Sequence, residues 1–127
     1  MALVLSADDD PDIRRLIERV LVGAGHRVML APDGQAALDA AFDEDLDFDL
    51  VILDVEMPRM RGLDACRILR DDPRTAHLPV IIASGSLASP YVDVTEYGAT
   101  ASLHKPFTPA QLRDAVEREL NAASTRR

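Results

Sequence analysis

One cysteine, few basic residues and no long apolar run set the first limits on this 127-residue chain. With Cys66 alone, no internal disulfide can form, which fits a reducing compartment. No stretch approaches the ~18 consecutive apolar residues of a membrane-spanning helix, so no membrane insertion is expected. No charged-then-apolar leader opens the chain, because Met1 to Leu5 runs directly into Asp8-Asp9-Asp10. Basic residues number 14 against 22 acidic ones, and the formal net charge of −8 excludes nucleic-acid binding through the overall field. Internal repeats, linkers and low-complexity tracts are missing, as is a Gly-rich phosphate loop after the first apolar stretch. The expectation is a soluble cytoplasmic domain, 47% hydrophobic and long enough to bury a core without staples.

What is present alternates. Leu3-Val4-Leu5 is a short apolar strand that ends near the acidic cluster. Asp10-Pro11 reads as a helix start, and Ile13, Leu16, Ile17, Val20 and Leu21 recur at helical spacing, with Arg14, Arg15, Glu18 and Arg19 opposite. His26 to Ala31 is a second strand; Asp33 caps a helix from Gln35 to Phe42. In Asp49 to Pro58, DLVILDVEMP, a strand buried on both faces stops at Asp54. A helix from Leu63 to Arg70 buries Cys66 as a small hydrophobe. Pro79 to Ala83 is another apolar strand, and Ala101 to His104 the last. Thr108-Pro109-Ala110-Gln111 is a capping box that opens a final helix with Leu112, Val116 and Leu120 on one face. Five such alternations predict a five-stranded parallel sheet, doubly wound, in an α/β domain spanning 1–121, with a frayed tail at 122–127.

Ligands of such sheets bind at the C-terminal strand ends. Those ends carry Asp8 and Asp9, Asp54, Ser84 and Lys105. Three converging carboxylates repel one another, and a divalent cation and the Lys105 ammonium relieve that. Clustered oxygen ligands suit Mg²⁺. A cation beside a carboxylate, a lysine and a hydroxyl suits phosphoryl transfer, whose catalysis is mostly positioning and charge neutralisation.

Asp8-Asp9-Asp10-Pro11, LVILDVEMP, PVIIASG and HKPF with its Thr-Pro helix cap, in this order, resemble a bacterial response-regulator receiver domain along nearly the whole chain. The resemblance implies a flavodoxin-like (βα)5 fold and membership of a two-component or phosphorelay system. It implies that Asp54 is the phosphoacceptor, that Asp8, Asp9, Asp54 and the backbone carbonyl of Glu56 hold Mg²⁺, and that Lys105 pairs first with Asp54 and then with the phosphoryl oxygens. Ser84 then reorients toward the phosphoryl group, and the Lys105-Pro106 bond is cis. The donor is a phosphohistidine of a sensor histidine kinase or histidine phosphotransfer protein. Few residues follow the last helix, so the expected output is contact with a downstream protein, as a monomer or a phosphorylation-dependent dimer, with no direct nucleic-acid contact. Such a domain is a phosphoacceptor, not a turnover enzyme.

Three features depart from the family. Ser102 stands where many receivers carry an aromatic switch residue on the last strand, leaving Tyr91 or Tyr97 to take that role. Glu56 adds a carboxylate at the mouth of the site and is expected to change the lifetime of the phosphoryl group. Leu87 to Tyr97 carries Pro90 and weak helix formers, which predicts a short or irregular fourth helix. The first and third favour an alternative, a receiver-fold binding module with an idle switch, which the complete acidic site opposes. A dehalogenase-type phosphatase is disfavoured, since Asp54-Val55-Glu56-Met57 lacks that class's second aspartate and threonine. Of the histidines, His26 and His77 read as surface residues, and His104 as pointing away from Lys105.

Overall fold

The structure is a computed structural model that describes residues 2–85 and 94–126. Five parallel strands form one sheet in the order β2-β1-β3-β4-β5: β1 Leu3–Ala7, β2 Arg27–Ala31, β3 Leu50–Asp54, β4 Val80–Ser84 and β5 Ala101–His104. β3 and β4 are buried at every residue. Their unbroken apolar runs follow from covering a parallel sheet on both faces. Alternation splits each run between two cores. Val51, Leu53 and Ile82 face α2 (Gly34–Ala41) and α3 (Gly62–Asp71). Leu50, Ile52, Ile81 and Leu103 face α1 (Pro11–Gly23) and α4 (Pro109–Arg126). The expected doubly wound α/β architecture is therefore found.

The helix starts follow local chemistry. Asp10 accepts from the Asp12 N–H, Asp33 from the Ala36 N–H, and Thr108 and Gln111 exchange the two bonds of a capping box. α1 puts Ile17 and Leu21 into the core. α4 runs to Arg126, through residues that the sequence assigns to a tail; Ala122 and Ala123, strong helix formers, carry it on. Between β4 and β5, Val94–Tyr97 is a single 3-10 turn, as an irregular fourth helix requires. The rest of the Leu87 to Tyr97 segment, with Pro90 and Tyr91, lies outside the described residues. No helix is long and apolar enough to cross a membrane among the described residues.

His26 corrects the sequence reading. Its side chain is only 8% exposed. Nδ1 accepts from the Ala2 N–H at 3.2 Å, and Nε2 lies 2.7 Å from Glu117 of α4. Mutual arrangement with a backbone donor fixes the neutral Nε2–H tautomer, a role that a loop-to-strand junction does not advertise.

Candidate phosphoryl-transfer and metal site

The C-terminal edge of the sheet gathers the expected side chains. Asp54 is the last residue of β3, and the end of β1 delivers Asp8 one residue later. Asp8, Asp9 and Asp54 each offer a carboxylate oxygen within 4.8 Å of the others. Asp8 is almost completely buried and Asp54 is buried, while Asp9 is exposed. A set of hard oxygens with one open flank is the donor chemistry of a divalent cation that keeps water ligands. The Glu56 side chain is exposed beyond Asp54 and stands outside that cluster.

Lys105 follows β5 and reaches back across the sheet. Its Nζ lies 2.6 Å from Asp8 Oδ2 and 3.3 Å from Asp54 Oδ1. The tighter partner is thus Asp8, not the Asp54 of the sequence expectation, although both carboxylates lie in reach. The Lys105-Pro106 peptide bond is cis. Ser84 is the buried last residue of β4, paired in register with His104, and its carbonyl accepts the Lys105 backbone N–H at 3.1 Å. His104 and Ser102 are both exposed on β5.

Crowded carboxylates show their cost in proton affinity. Burial and then the Asp8 charge push the Asp54 carboxyl up to about 6, against the opposing pull of Lys105. Burial works against the Lys105 ammonium, but the hydrogen bond and charge of Asp8, followed by those of Asp54, raise its pKa above the ordinary value. The site is short of positive charge without a cation.

Several supports went unread in the sequence. A Cβ on Gly62 would stand 1.9 Å from the Asp54 carbonyl oxygen, so only glycine lets α3 start against the Asp54 backbone. Its N–H donates to the Val55 carbonyl at 3.0 Å. A Cβ on Gly34 would stand 2.5 Å from the Met60 carbonyl oxygen, so glycine there seats α2 on the loop that follows Asp54. In that loop Arg59 adopts φ 71°, and its Nε lies 3.7 Å from the buried Asp33 carboxylate. Arg14 donates from Nη1 to the Asp8 carbonyl at 2.7 Å. The signal for Gly62 was available: a glycine opening a helix without a side-chain cap has another reason to be there.

Farther away, Arg70 at the end of α3 donates to the carbonyls of Ala76, Leu78 and Gly98, and Arg67 stacks over the Tyr97 ring at 4.9 Å from its centroid. Cys66 is fully buried, and burial raises its thiol to about 11.

A family model for the response regulator receiver domain matches residues 4–117. The chain is 36% identical over 120 residues to the DNA-binding response regulator MtrA of Mycolicibacterium smegmatis, covering 92% of this chain and 50% of that protein. It therefore spans half the length of this curated relative. Among solved structures, the chemotaxis response regulator CheY4 of Vibrio cholerae superposes with a TM-score of 0.86 at 33% identity, over 93% of this chain and 98% of CheY4. The receiver domain of the sensor histidine kinase PA1611 from Pseudomonas aeruginosa, with a magnesium ion coordinated in its active-site cleft, superposes at 0.86 and 26% identity over 94% of this chain and 98% of that one. Carboxylates on two adjacent strand ends, a lysine beyond a third and a family match spanning all of them lead to one conclusion: the chain belongs to the response regulator receiver domain family.

Proposed function

We propose that this chain is a phosphoacceptor of a two-component or phosphorelay system, taking a phosphoryl group onto Asp54 from a phosphohistidine of a sensor kinase or phosphotransfer protein. The observation that carries this reading is the convergence of Asp8, Asp9 and Asp54 beside Lys105. An Asp54 oxygen attacks phosphorus as the bond to the donor imidazole breaks, and the imidazole nitrogen keeps the electron pair and takes a proton. Attack requires the ionised carboxylate, so Lys105, 3.3 Å from Asp54 Oδ1, favours the reactive form that burial opposes. Asp8, Asp9, Asp54 and the Glu56 carbonyl would hold Mg²⁺, which supplies charge neutralisation for the transferring group when bound. Lys105 then turns to the phosphoryl oxygens, and the Ser84 hydroxyl, at the end of β4, donates to one of them. The protein acts in the cytoplasm as an acceptor, not as a turnover enzyme, and passes its signal to a downstream protein.

A second reading, a receiver-fold binding module with an idle switch, is favoured by one observation: Ser102, in place of an aromatic side chain, is exposed on β5.

The test is intact mass after incubation with Mg²⁺ and acetyl phosphate, for native protein and Asp54→Asn. Gain of one phosphoryl group by native protein only, lost on chelation, supports the acceptor. No gain by native protein overturns it in favour of the binding module.

A further inference from the structure

We infer that Arg14 is a positioning residue for the cation site, aiming Asp9 at it through the backbone; this rests on the metal reading above. Asp9 is the exposed member of the carboxylate trio, and its side chain has no hydrogen-bond or ion-pair partner among the described residues. Nothing that touches the side chain therefore sets its direction. What sets it is the pair of peptide planes on either side of the Asp9 Cα. The plane between Asp9 and Asp10 is held by the Asp10 N–H, which donates to Asp8 Oδ1 at 2.9 Å. The plane between Asp8 and Asp9 is held at its carbonyl end by Arg14 Nη1, at 2.7 Å. With both planes fixed, φ and ψ of Asp9 are fixed, and its Cβ can leave the turn in only one direction.

The two holds are unequal. Asp8 already gives its other oxygen to Lys105, and its own carboxylate belongs to the trio, so the hold on the second plane is shared with the site's chemistry. Arg14 has no such second duty. It is half-buried in the first turns of α1, whose backbone is anchored by its own N–H to the Asp10 carbonyl at 3.0 Å. The guanidinium thus refers the Asp8–Asp9 peptide to the helix axis.

Coulomb's law supplies the opposite expectation, which makes the inference sharp. A guanidinium close to an acidic site repels an incoming divalent cation, so an Arg14 that acted only by charge would weaken metal binding, and its removal would tighten it. An Arg14 that positions Asp9 does the reverse. Loss of a group that orients a metal ligand typically costs 10–100-fold in affinity.

The experiment is calorimetric titration of Mg²⁺ into native protein, Arg14→Met, Arg14→Lys, Asp9→Asn and the Arg14→Met/Asp9→Asn double variant, with urea midpoints confirming that each is folded. Arg14→Gln replaces Arg14→Met should that variant not fold. The expected result is roughly tenfold weaker binding in Arg14→Met, most of it recovered in Arg14→Lys, and a double variant no weaker than Asp9→Asn alone. In metal-free protein the Asp9 and Asp10 amide resonances shift in Arg14→Met and stay in Arg14→Lys. Unchanged or tighter Mg²⁺ binding by Arg14→Met, or full additivity in the double variant, overturns the inference. Absence of Mg²⁺ binding by native protein instead overturns the metal reading beneath it, and Asp9→Asn binding like native protein removes Asp9 from the ligand set.

Discussion

Asp54 shows how one group is pulled two ways. Its carboxyl titrates at about 6 in the folded protein against 3.8 ordinarily, with burial the largest cause. A raised carboxyl favours folding below pH 3.8, where both states are protonated, and that advantage is lost as the pH rises through 6. Replacing the charge should therefore stabilise the metal-free protein at neutral pH. We expect Asp54→Asn to raise unfolding free energy by on the order of 2 kcal/mol at pH 7.5 in chelator, with little difference at pH 3.5, read by urea denaturation. A native protein at least as stable as the variant at pH 7.5 would count against the crowding described here. The same residue scale divides what the sequence disclosed from what it hid. Asp54 was legible because it ends a run too apolar to tolerate a charge by accident, Asp8 and Asp9 because they follow a short apolar strand, and Lys105 only through its Lys-Pro-Phe context. Arg14 was not: by periodicity it falls on the polar face of α1 beside the exposed Arg15, and its 2.7 Å contact with a carbonyl is tertiary. That Lys105 leans on Asp8 more than on Asp54 depends on side-chain packing over 97 positions of sequence, which no local pattern encodes.

α3 is the element in which packing most tightly limits sequence. Its first residue abuts the Asp54 backbone, so Gly62→Ala forces either the helix or the strand end to move. The expected loss is about 3 kcal/mol of stability, together with slower phosphorylation of Asp54, measured by denaturation and by intact mass against time. Ala at Gly23 of α1, where a Cβ meets nothing within 4 Å, is the matched control and should leave phosphorylation unchanged. At this scale hydrophobic runs found all five strands, and the capping signals at Asp10, Asp33 and Thr108 found three helix starts. The start of α3 escaped them, because Arg61 occupies the cap position and makes no side-chain capping bond. The 3-10 turn at Val94–Tyr97 was legible only as weakness, a stretch of poor helix formers; its anchorage by Arg67 and Arg70 is tertiary.

Topology and charge act on the whole molecule. Alternating strand and helix signals sufficed for a parallel sheet, because right-handed crossovers leave few arrangements, but the order β2-β1-β3-β4-β5 needs the register of neighbours. The order matters electrostatically. It sets the ends of β1 and β3 side by side, so two acidic termini meet within a chain of formal net charge −8. Such a field should make cation uptake sensitive to screening. Mg²⁺ affinity is expected to fall several-fold as monovalent salt rises from roughly 20 to 500 mM, and affinity independent of salt would show that local contacts dominate. The sheet order has a further consequence, in time rather than in energy. Asp8 and Asp54 issue from strands hydrogen-bonded on both sides, whereas Lys105 issues from β5, paired only with β4. Edge strands open more readily than interior ones. The ammonium is therefore expected to leave before the carboxylates when the sheet breathes, with the acidic cluster intact and its resident counter-charge gone.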